Sequence, residues 1–160
     1  MNRKNAFAAF ALGIVALAGG SLASGQDPVD EDIKLFRKDL RSLRKQIIAA
    51  NMSLNDQEAE QFWPLFDRYT QELVAKQDIK YALLTEYSKH YTAMTDQDAE
   101  KYVRGRADVD EAILQVRLKY FPQFRKVLSG KSSALFFQLD WRLGLIMDLQ
   151  LASQTPLIEP

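Results

Sequence analysis

This chain of 160 residues has no cysteine, a single histidine and no excess of either charge, with 21 Lys and Arg set against 21 Asp and Glu. Without cysteine there is no disulfide, no thiolate nucleophile and no attachment point for a lipoprotein's lipid. A chain of this size can forgo disulfides if it buries one real core. His90 alone cannot supply a nucleophile, base and orienting group together, so the sequence points to no enzyme chemistry. The balanced charge gives no global signal for nucleic acid. Gly and Pro are few, 7 and 5, and strand-like alternation is missing. Helix is the only strong periodic signal, and the expected class is all-α with four helices.

What is present begins with Arg3 and Lys4, followed by the apolar run "AFAAFALGIVAL" and the small residues "AGGSLASG". That is the layout of a secretory signal peptide. The apolar core is about a dozen residues, short of the about 20 that a membrane span needs. Residues 1–25 are therefore expected to be cleaved, after Ala23 or Gly25, which leaves residues 26–160 as one helical domain in the periplasm. Setting Arg3 and Lys4 aside leaves 19 basic against 21 acidic residues.

In the expected first helix, about Asp32 to Ala50, the residues Ile33, Phe36, Leu40, Leu43 and Ile47 step by three and four along one stripe. Lys34, Arg37, Lys38, Arg41, Arg44 and Lys45 occupy the other side. This basic side is the candidate partner-binding surface, suited to unfolded or acidic chains or to anionic lipid head groups. A solvated face, balanced by acidic helix starts, is the alternative.

"MSLNDQEAEQFWPLF", Met52 to Phe66, is echoed by "MTDQDAEKYVRG", Met94 to Gly105. Asn55 and Thr95 can each act as N-cap, with Glu58 and Asp98 three residues on to complete a capping box. The two copies then start two long helices, one running to about Ala93 and the other to a stop at Gly130. A fourth helix is expected from Ser132, apolar over most of its circumference and so either central or covered by a partner. The ending "SQTPLIEP" predicts an extended tail laid across a neighbour.

Pro64 in "FWPLF" and Pro122 in "YFPQF" fall inside these long helices, where proline costs about 3 kcal/mol unless the helix bends. Folding the pair back near Met94 matches residues whose numbers sum to roughly 189, which sets both kinks within a turn of the same height. Phe62, Trp63, Phe66, Tyr120, Phe121 and Phe124 would gather there. Such a cluster reads either as core or as a ligand pocket.

The strings "LNDQEAEQFWPLFDRY" and "MTDQDAEKY", with "FRKVLSGKSSALFFQLDWRL" leading to "ASQTPLI", resemble the Spy/CpxP-like superfamily of periplasmic proteins with LTxxQ repeats. The likeness extends from about Met52 to the C-terminus, although residues 54–58 depart from LTxxQ at the second and fifth places. The resemblance implies a curved helical cradle, often a homodimer, used in envelope stress responses. Relatives act as ATP-independent chaperones on unfolded or envelope proteins, or as regulators of a sensor protein, and some bind zinc. Further His or Cys residues are missing here, so no cofactor or metal is assigned.

Three further motifs carry less. "SGKSS", Ser129 to Ser133, has the Gly-Lys-Ser end of a phosphate loop but neither the first Gly nor a preceding strand. Glu86 and His90, four residues apart, make a weak ligand pair where a metal site needs three or four ligands. Asp108, Asp110 and Glu111 read as a solvated acidic face.

Overall fold

The structure is a computed structural model that describes residues 28–158, so the expected signal peptide lies outside the described residues. It contains four α-helices: α1 (Pro28–Asn51), α2 (Asp56–His90), α3 (Asp96–Val127) and α4 (Gly130–Gln154). A short 3-10 turn, Tyr91–Ala93, follows α2. Among the described residues there is no strand, and the fold is all-α.

Local chemistry accounts for the helix starts. Asn55 accepts a hydrogen bond from the Glu58 backbone N–H while its own N–H donates to the Glu58 carboxylate. Thr95 and Asp98 repeat that exchange at α3. Each box satisfies backbone donors that a helix otherwise leaves open. At α4 the cap is Ser129, which accepts from the Ser132 N–H. Gly130, expected to stop α3, instead opens α4, because the chain turns earlier at Leu128, whose backbone is extended with φ −116° and ψ 155°. Pro64 and Pro122 both lie inside their helices.

Consecutive helices run antiparallel. Tyr69 meets Tyr120 and Tyr87 meets Tyr102 between α2 and α3, while Lys45 pairs with Asp67 between α1 and α2. Phe121 meets Phe137 and Arg117 pairs with Asp140 between α3 and α4. With α1 also packed on α4, the four helices close into a bundle.

One end of the bundle is aromatic. Phe62, Phe66, Tyr69, Tyr120, Phe124, Phe136 and Phe137 are buried together, with Ile48, Met52 and Leu128 closing around them. Phe124 and Phe136 stand 4.4 Å apart, and Phe62 meets Phe136 edge-on at 5.4 Å, arrangements that add to the burial of large apolar area. The other end holds a smaller cluster, Leu84 and Leu151 with Tyr81, Tyr102 and Met147. The C-terminal segment reaches this end, where the Tyr87 hydroxyl donates to the Pro156 carbonyl at 2.8 Å.

α1 differs from its expected orientation. Arg37, Leu40, Arg44 and Ile48 are buried, whereas Phe36, Leu43 and Ile47 are half-buried. The expected stripe of Phe36, Leu40, Leu43 and Ile47 and the buried one of Arg37, Leu40, Arg44 and Ile48 both step by three and four and share Leu40, so hydropathy favours the first although the second is buried. The helix is rotated by about one residue: Arg44 meets Asp140 inside the bundle, while Arg37 is covered against the Tyr81 ring and pairs with Asp78 at the bundle's edge.

Candidate functional site

Between the aromatic end and the Leu84–Leu151 end, the interior turns from apolar to ionic. Asp140, almost wholly buried on α4, receives Arg44 Nη1 on Oδ1 at 2.8 Å and Arg117 Nε on Oδ2 at 2.9 Å. Burial works against the charge on Arg117, but the charge and hydrogen bond of Asp140 outweigh it and hold the guanidinium above its ordinary value. The Tyr69 hydroxyl adjoins this group without meeting hydrogen-bond geometry. Its burial, and then the charge of Asp140, push the phenol well up from 10.0.

Further along the bundle, buried Lys80 of α2 binds Asp148 of α4 at 2.6 Å and Asp110 of α3 at 3.0 Å. Arg106 reaches the other Asp110 oxygen at 2.8 Å. Arg37 and Arg41 share Asp78, and the Arg37 guanidinium lies 3.7 Å above the Tyr81 ring. Burial, then the neighbouring charge of Arg41, lowers the pKa of Arg37, with Asp78 opposing both.

Beside these groups lies a cavity of about 260 Å³, with Asp110 and Asp148 as the two carboxylates in its wall. Six cationic side chains line it: Arg37, Arg41, Arg44, Lys80, Arg106 and Arg117. Leu40, Ile113, Met147 and Leu151 supply an apolar part of the wall. Gly144 also lines the cavity, and a Cβ there would come within 3.1 Å of Arg117 Nη2.

A second feature lies on the outside. Leu114, Leu118 and Phe121 of α3 are exposed, the last at 45%, as are Trp141, Leu145 and Leu149 of α4. Their spacing of three and four places each trio on one helix face. Phe137 links the two faces, 5.6 Å from Phe121 and 6.2 Å from Trp141. Packing of α4 in the bundle thus covers only part of its apolar circumference.

Comparison with protein-family models, curated proteins and solved structures returns no match. The likeness to the Spy/CpxP-like superfamily accordingly rests on the quoted sequence motifs.

The residues proposed from sequence separate into different environments. Arg37 and Arg44 leave the basic surface for the interior, and Arg41 sits half-buried at the cavity. Lys34, Lys38 and Lys45 are exposed; Lys34 meets Glu31, and Lys45 lies 5.2 Å from the Trp63 ring centre while pairing with Asp67. Phe62, Phe66, Tyr120 and Phe124 join the buried cluster, but Trp63 is half-buried and Phe121 faces outward. Asn55, Glu58, Thr95 and Asp98 serve as caps. Asp110, read as part of a solvated face, instead joins Lys80 to Arg106. His90 is exposed and meets Glu86 at 3.1 Å. No group of three or more His, Cys, Asp or Glu that could hold a metal ion occurs among the described residues.

Lys80, Asp140 and Asp148 were not expected at the site. A signal existed. Lys80 falls on the stripe of Leu73, Leu84 and Tyr87, and Asp140 falls on that of Phe136, Leu143 and Leu151. A charge in the apolar register of a helix marks a buried polar contact or a site.

Proposed function

We propose that this chain is a non-enzymatic periplasmic binding protein of chaperone or stress-adaptor type. It holds apolar segments of unfolded or envelope proteins against the exposed face of α3 and α4. The observation that carries this reading is the paired apolar stripe, Leu114, Leu118 and Phe121 beside Trp141, Leu145 and Leu149. Contiguous exposed apolar surface of this kind marks an interaction site more often than scattered single residues do. The expected curvature at Pro64 and Pro122 suits the same role, as do the resemblance in the helix-start motifs and the secretory leader read from sequence. Relative to the sequence-based expectation, the binding face moves from α1 to α3 and α4.

The test is suppression of light scattering by an unfolding client at stoichiometric protein, with Leu118→Lys/Leu145→Lys as the comparison. Both side chains are exposed, so this variant keeps its core. Suppression by the wild type and its loss in the variant support the reading. No suppression by the wild type, or equal suppression by both, overturns it. Sedimentation of the same pair supplies a second check: a wild-type dimer that the variant dissolves would make the face a subunit interface and also overturn client binding.

A further inference from the structure

We propose that the cavity between the four helices is a binding site for a small phosphomonoester, a dianion with a short apolar group. The case starts from charge. The six cations that line the cavity are met by four carboxylates, Asp78, Asp110, Asp140 and Asp148. Two positive charges remain in surplus at a place where Arg37, Arg44 and Lys80 are buried. Arg41, Arg106 and three of the four carboxylates are partly exposed and stand at the cavity's open side, but unbalanced charge beside the three buried cations is costly, and a bound dianion would offset it.

Hydrogen-bonding capacity points the same way. Arg44 lines the cavity, and its buried Nε has no hydrogen-bond partner among the described residues, although Nη1 is held by Asp140. Five of the six cations are arginines, whose planar forks match the oxygens of phosphate better than a lysine ammonium does. A phosphomonoester carries a charge of about −1.5 to −2 near neutral pH, matching the surplus.

The walls restrict the ligand further. Leu40, Ile113, Met147 and Leu151 give the same cavity an apolar part, so a bare inorganic ion would leave that surface unused. A volume of about 260 Å³ fits a small molecule and excludes a folded partner. Of the lining cations, Arg106 is the most suitable to alter, because it pairs with Asp110 in a part-exposed contact within the same helix.

The experiment is calorimetric titration of the full chain with phenyl phosphate, inorganic phosphate and succinate at one fixed ionic strength. Phenyl phosphate should bind with a stoichiometry of one and more tightly than inorganic phosphate. Arg106→Gln should weaken it about tenfold or more, the loss of one charge-assisted hydrogen bond, without altering the helical content of the free protein. Lys126→Gln, an exposed charge in the last turn of α3 and outside the cavity lining, should leave affinity unchanged. Absence of phenyl phosphate binding at millimolar concentration overturns the proposal. So does equal weakening by the two variants, which would indicate diffuse surface charge. Tighter binding of succinate overturns the ligand class.

Discussion

Arg44 and Asp140, 96 positions apart in sequence, meet at 2.8 Å with both side chains buried, and Arg117 holds the other oxygen of the same carboxylate. The triad joins α1, α3 and α4 through one group. Removing one member of a buried ion pair leaves uncompensated charge, which costs about 3–5 kcal/mol. Asp140→Asn should therefore destabilise the bundle by about that amount in urea unfolding. The triple variant Arg44→Met/Asp140→Leu/Arg117→Met should recover most of the loss, because an apolar replacement avoids desolvating three charges. If the single variant unfolds at the wild-type midpoint, the triad does not hold the helices together.

Acid should act through Asp110. Burial opposes its charge, but hydrogen bonds from Arg106 and Lys80, with their charges, hold its pKa below the ordinary 3.8. A carboxylate with a lowered folded pKa contributes stability that is complete above its unfolded value and is lost as the pH falls through the folded one. The melting temperature should accordingly drop below about pH 4. Asp110→Asn should melt lower than the wild type near neutrality and converge with it in acid. A constant gap between the two curves across the acid range would refute this assignment.

The caps and the interior differ in how far they could be read from sequence. Asn55 with Glu58, and Thr95 with Asp98, are contacts three residues apart, so the chain states them directly. The aromatic stripe of α2 is nearly as plain, since Phe62, Phe66, Tyr69 and Leu73 keep helical spacing. Arg37, Arg44 and Lys80 are different. Hydropathy sends a charge outward unless its partner is known, and those partners lie on other helices. Phe121 and Trp141 fail in the opposite sense, as apolar residues that the packing leaves exposed.

The two capping boxes offer a quantitative check on the repeat. Asn55→Ala and Thr95→Ala should each cost about 1 kcal/mol, by removing an acceptor for backbone donors at a helix start. α2 has 35 residues and so separates the two caps by about 50 Å at roughly 1.5 Å per residue. At that distance the losses should add. Chemical denaturation of the two single variants and the double variant would measure this. A double variant no worse than either single one would mean that the caps do not act independently.

Two glycines in helix interiors should respond differently to the same change. Alanine is favoured over glycine within a helix by about 1 kcal/mol, which sets the expectation where space permits. At Gly105 a new Cβ would meet the Leu83 side chain at 3.5 Å, an ordinary contact, so Gly105→Ala should stabilise by up to about that amount. At Gly144 it would come within 3.1 Å of Arg117 Nη2. That guanidinium cannot simply swing aside, because its Nε is bound to buried Asp140. Crowding there should cancel the helical gain and leave Gly144→Ala neutral or destabilising. Thermal melts of both variants test the geometry of the triad from outside it: a gain at Gly144 equal to that at Gly105 would show that Arg117 moves freely and is not held by Asp140.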